Sequence, residues 1–140
     1  MKLGLDIGNS TVKGAMLSED NELLANIKYP SAVVQIPDAK YVDFPYEEDF
    51  YIQVVDSKLE HFNTITAIGD KAINMPGYQE YDVTSTSYKA NNPITTALMF
   101  GAIAQNTDEE VVHVKLAVTV PIVEAKTIGL IQEYKDLLTG

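Results

Sequence analysis

The stretch Asp6-Ile7-Gly8-Asn9-Ser10-Thr11-Val12-Lys13 brings an acid, a glycine turn and a lysine close together near the start of the chain. Gly8 lets the backbone turn tightly and approach a ligand closely. The N–H groups of Asn9, Ser10 and Thr11 can then point inward and form an anion-binding concavity. The Ser10 and Thr11 hydroxyls offer further donors. Lys13 supplies a compact positive charge for a β- or γ-phosphate. Asp6 would repel a phosphate, so its natural place is beside Mg²⁺, which keeps several waters and tolerates a single carboxylate. The chemistry this favours is phosphate binding and phosphoryl transfer. Asp6 and Lys13 are then the catalytic candidates, Gly8, Asn9, Ser10, Thr11 and Lys13 the phosphate-binding set, and Asp6 the metal contact. The residues alone leave a second reading open: a polar hairpin turn, with Asp6 accepting turn N–H groups and Lys13 in solvent.

The turn has no Gly-Lys-Ser or Gly-Lys-Thr and leads into a strand, which separates it from the Walker loop and from the dinucleotide fingerprint. The elements that hold it follow from the pattern of apolar residues. Leu3, Leu5 and Ile7 alternate along a first strand over residues 2–8. Residues 12–17 form a returning strand, Ser18-Glu19-Asp20-Asn21 a polar turn, and residues 22–29 a third strand ended by Pro30. Short turns make these an antiparallel meander. Further strands are expected over 50–55 and 65–68, with a short helix over 71–75. Asn92-Pro93 places a cap residue before a first-turn proline, and a helix with a narrow face of small apolar residues follows. Residues 110–120, rich in β-branched side chains, read as a buried strand ended by Pro121. A helix from Val123 to Leu138 closes the chain, with Gly140 at its C-terminal cap. Three strands, an irregular middle, then helix, strand, helix amount to an α/β domain with a mixed sheet.

The 140 residues suit one domain, with 46% hydrophobic and 21% charged residues. A net charge of −10 argues against direct nucleic-acid binding, which needs clustered Lys and Arg, and against an anionic membrane surface. A phosphate pocket is still allowed, because it is local and built from backbone amides. The absence of cysteine excludes disulfide scaffolds and thiolate metal sites and is compatible with the cytoplasm. Asp6 interrupts any signal-peptide core, and no apolar run reaches membrane-spanning length.

Other chemistry-bearing residues read as structural. His61 and His113 have no partner at metal-ligand spacing, and His113, between Val112 and Val114, is expected to face solvent. Glu47-Glu48-Asp49 and Asp108-Glu109-Glu110 read as solvated acidic turns. Tyr78, Tyr81 and Tyr88, among serines and threonines, are either partly buried loop rings or a subunit contact.

The segment LGLDIGNSTVKGAML resembles the first phosphate motif of the superfamily of actin, sugar kinases and heat-shock chaperone ATPases. Three more stretches are similar to bacterial actin-like proteins of the ParM/StbA plasmid-segregation type. They are Tyr29-Pro30-Ser31-Ala32-Val33, Ala67-Ile68-Gly69-Asp70-Lys71-Ala72, and the pair Thr95-Thr96-Ala97-Leu98 with Leu116-Ala117-Val118-Thr119-Val120-Pro121. The resemblance spans nearly the whole chain, and the first motif is its specific part.

That resemblance implies a ribonuclease-H-like half of an actin fold over residues 1–140, with a small irregular subdomain around 38–92. It implies ATP and Mg²⁺ as cofactors, self-assembly into filaments, and a DNA-binding adaptor between filament and plasmid. Members of the family are about twice this length or more, in keeping with two domains. The second phosphate turn, the adenosine contacts and the water-orienting acid are therefore expected beyond Gly140, and the isolated chain is expected to be inactive. Two alternatives stand beside this one. Type III pantothenate kinases also open with an Asp-x-Gly-Asn turn, and a non-enzymatic assembly domain would need no nucleotide.

Overall fold

The first strand carries the register of everything built around it. In the computed structural model, which describes residues 1–36, 51–81 and 92–119, β1 (Lys2–Ile7) buries Leu3, Leu5 and Ile7 and leaves Asp6 exposed. This is the period-two pattern of a strand with one face on the core. β2 (Thr11–Leu17) returns antiparallel to β1, and β3 (Leu23–Pro30) returns antiparallel to β2, with a bulge between Met16 and Leu17. At the second turn Asn21 takes a φ of 65°, a left-handed conformation that asparagine tolerates. Its neighbours close the turn through the Ser18 hydroxyl, which accepts from the Glu22 amide at 3.0 Å.

The expected meander is therefore present, and β7 (Lys115–Val118) joins it on the other side of β1 as a parallel partner. The sheet order is β3-β2-β1-β7, a mixed sheet. Residues 110–114, expected as strand, lie outside β7. The pairing with β1 explains the limit, since Lys2–Leu5 of β1 face Lys115–Val118 in register.

A second, antiparallel sheet of order β4-β6-β5 is built from β4 (Val33–Ile36), β5 (Tyr51–Ile52) and β6 (Ile65–Ile68). Gln79 bridges to Val33 on the outer side of β4. β6 runs straight into the short helix α1 (Gly69–Ile73). The longer helix α2 (Pro93–Ala104) begins as its first residues dictate, with the Asn92 side chain accepting from the Ile94 amide at 2.9 Å and Pro93 in the first turn.

The main core gathers Leu3, Leu5, Ile7 and Val12 from the first sheet and Ile94, Ala97, Leu98, Met99 and Ala102 from α2. Full burial of each large aliphatic side chain stabilises by about 1.5–3 kcal/mol. Tyr29 ties the layers together. Its ring packs on Gly69, whose φ is 62°, and its hydroxyl donates to the Leu98 carbonyl of α2. Tyr81 is also a core residue, with its hydroxyl against Thr95 Oγ1, while Tyr78 is exposed. Glu47-Glu48-Asp49, Tyr88 and the helix expected from Val123 lie outside the described residues.

Candidate functional site

Asp6 and Lys13 are direct cross-strand partners in the β1–β2 register, and both are exposed. Opposed residues of an antiparallel pair share a face of the sheet, so both side chains leave the face away from Leu5, Ile7 and Val12, without forming an ion pair with each other. The adjoining turn is tight. The Gly8 amide donates to the Thr11 carbonyl at 3.0 Å. A Cβ built on Gly8 would stand 2.8 Å from that same carbonyl oxygen, so the turn has no room for a side chain there. Among the described residues, the N–H groups of Asn9 and Ser10 have no backbone acceptor, and both residues are exposed.

Two neighbours fix this arrangement, and spacing alone did not single out either for a role. Thr119, just past β7, donates its amide to the Leu5 carbonyl at 3.0 Å and its hydroxyl to Asp6 Oδ1 at 2.8 Å. One carboxylate oxygen is thereby held. Ser31, which is 1% exposed, donates its hydroxyl to the Gly8 carbonyl at 2.7 Å and its amide to the Ser10 carbonyl at 2.9 Å. Both residues lie within stretches quoted above for their resemblance, but their partners are distant in sequence and become visible only in the fold. Lys28, opposite Lys13 on β3, is exposed and adds a second positive charge along the same row.

The donor set suits an anion with several oxygens: unpartnered amides, a glycine that admits close approach, and a lysine two residues past the turn on β2. A single exposed carboxylate, held through one oxygen, suits a hydrated Mg²⁺ that takes few protein ligands. The other titratable candidates behave as structural residues. His61 accepts or donates through Nδ1 at 2.8 Å from the Leu59 carbonyl, and His113 is exposed. Among the described residues no group of acids and histidines is placed to hold a metal ion, so a metal at Asp6 would rely mainly on water and ligand oxygens. A largely apolar cleft of about 310 Å³ between Leu59, Met99, Phe100, Ile103, Val114 and Leu116 lies apart from the turn and takes none of its residues. No helix among the described residues is long and apolar enough to cross a membrane.

Comparisons with known proteins converge on one fold. Bacillus thuringiensis ParM in apo form superposes with a TM-score of 0.69 at 18% identity, over 95% of this chain and 38% of that one. The same protein with ATP gives 0.64 at 21% identity, over 95% of this chain and 36% of that one. The apo pSK41 ParM protein gives 0.61 at 20% identity, over 99% of this chain and 42% of that one. The chain thus spans about two-fifths or less of the length of these structures. No curated protein matches it in sequence. The family described as the N-terminal domain of actin-like proteins matches residues 4–140. With the mixed sheet, the α/β layering and this match over nearly its whole length, the chain belongs to the actin-like proteins and forms their N-terminal domain.

Proposed function

We propose that this chain is the nucleotide-binding N-terminal domain of an actin-like ATPase that assembles with Mg–ATP into filaments and segregates plasmid DNA. One observation carries the reading most directly: Asp6 and Lys13 are opposed in register beside a glycine turn with unpartnered amides. The turn from Gly8 to Thr11 would cradle the β- and γ-phosphates, Lys13 would neutralise their charge, and Asp6 would hold Mg²⁺ through its coordinated waters. Bacillus thuringiensis ParM, whose fold this chain shares, has been solved with ATP, which supports the choice of nucleotide.

Catalysis in this scheme is mostly positioning and charge stabilisation, as in other phosphoryl transfers. Residues 1–140, with a small subdomain around 38–92, would form one wall of the cleft. A second domain would supply the opposing phosphate turn, the adenosine contacts and the acid that orients water. Head-to-tail contacts between copies whose rotation does not close would generate the filaments. The net charge of −10 favours a DNA-binding adaptor over direct DNA contact, and a cytoplasmic setting suits the absence of cysteine. The test is light scattering and phosphate release by the full-length protein in Mg–ATP. Assembly followed by steady phosphate release is the expected result. Phosphorylation of pantothenate without assembly would overturn the reading in favour of a small-molecule kinase.

A further inference from the structure

Pro30 faces Thr11 in the β2–β3 register. Proline has no N–H, but the pair is a non-hydrogen-bonded one, so the ladder bond at this end comes from the residue that follows. Ser31 is that residue. Its amide reaches the Ser10 carbonyl at 2.9 Å, and its hydroxyl reaches the Gly8 carbonyl at 2.7 Å. One residue therefore captures alternate carbonyls of the same turn.

The peptide bonds of the turn are trans, and in a trans peptide the C=O and the attached N–H point in opposite directions. Turning the Gly8 carbonyl toward Ser31 turns the Asn9 N–H away from it. Turning the Ser10 carbonyl toward Ser31 does the same to the Thr11 N–H. From this geometry we infer that Ser31 is the positioning residue of the phosphate turn: by holding the Gly8 and Ser10 carbonyls on one side, it aims the Asn9 and Thr11 amides to the other, where the anion is received.

The inference rests on the nucleotide reading above and extends it to a residue that touches no ligand. The Ser31 side chain is 1% exposed, so water cannot easily replace its hydroxyl as a donor. Losing it leaves the Gly8 carbonyl without that partner, and the Gly8–Asn9 peptide is free to rotate. Gly8 itself offers little resistance, because glycine admits both orientations.

The experiment uses the full-length protein and titrates Mg–ATP by calorimetry, with thermal melting as a control on folding. Ser31→Cys keeps the side-chain size but is a weak donor, and Ser31→Ala removes the donor outright. Both are expected to lower ATP affinity by about tenfold, the scale of one charge-assisted hydrogen bond, while Ser31→Thr, which keeps the hydroxyl, retains most of the affinity. A purely packing role for Ser31 would leave Ser31→Cys at wild-type affinity. If the wild type binds ATP and Ser31→Cys and Ser31→Ala bind equally well, the Ser31 inference is wrong and the nucleotide reading survives. If the wild type itself fails to bind ATP, the nucleotide reading falls and takes the Ser31 inference with it.

Discussion

Lys13 is the side chain on which the phosphate reading is easiest to test by substitution. It is exposed between Asp6 and Lys28 along one row of the sheet, so truncation leaves no cavity. Lys13→Ala should keep the melting temperature close to wild type. It should weaken ATP binding by about tenfold, since a charge-assisted contact is worth about 1.5–3 kcal/mol, and assembly followed by light scattering should weaken with it. Unchanged assembly would return Lys13 to the solvated-turn reading. Gly8→Ala acts differently. Its Cβ would meet the Thr11 carbonyl oxygen at 2.8 Å, and backbone cannot step aside as a flexible side chain can. A loss of about 1–3 kcal/mol in urea melts is expected, the usual scale of overpacking, together with weaker ATP binding. Tyr29 gives a pH signature. Burial pushes its phenol well above the ordinary value of 10.0, Tyr81 pushes it the same way, and the Ala102 amide holds it partly back. The folded state thus holds the phenolic proton more tightly than the unfolded state does. The contribution is intact below pH 10 and falls as pH rises past that value toward the higher folded one. Stability measured in urea should therefore decline as pH rises past 10, with a shallower slope in Tyr29→Phe. An equal slope in the variant would assign the alkaline loss to other groups.

Helix α2 reverses a common expectation for glycine. Gly→Ala inside a helix usually stabilises by about 0.5–1 kcal/mol. At Gly101 an added methyl would collide with Cδ1 of Ile68, which is fully buried at the end of β6 and would have to shift within the core. Gly101→Ala should destabilise by about 1–3 kcal/mol in chemical denaturation, and a stabilised variant would show that the β6–α2 contact is looser than described. Much of the element layout was legible beforehand because its signals are local. The alternation of Leu3, Leu5 and Ile7, the polar turns around Gly8 and Asn21, and Asn92-Pro93 at the start of α2 all act within a few residues. β6 lies where residues 65–68 were expected. What escaped depends on distant partners. β4 is a strand because Val33–Ile36 pair with Ile65–Ile68. α1 starts at Gly69 rather than Lys71, since Gly69 enters it with a left-handed φ packed on Tyr29. At the candidate site the pairing of Asp6 with Lys13 followed from the hairpin. Thr119 and Ser31 could not be read as partners of Asp6 and Gly8, because their hydrogen bonds span 113 and 23 residues.

At the scale of the molecule, the chain spans about two-fifths or less of the ParM structures it resembles, so half of the proposed cleft would come from elsewhere in the protein. Phosphoryl transfer needs donors fixed on every side of the transferring group. A polypeptide of residues 1–140 alone is therefore expected to bind Mg–ATP weakly and to release phosphate at a rate indistinguishable from buffer, where the full-length protein turns over. Steady turnover by the short polypeptide would mean that the site is complete within it. The parallel pairing of β1 with β7 also has a consequence in time. A ribosome delivers β1, β2 and β3 early, whereas Lys115–Val118 and Thr119 emerge only after most of the domain has been made. Until then the β7 side of β1 is an open edge, able to recruit a wrong strand, and closing so long a loop is slow. Asp6 would thus acquire its Thr119 partner later than the hairpin that carries it.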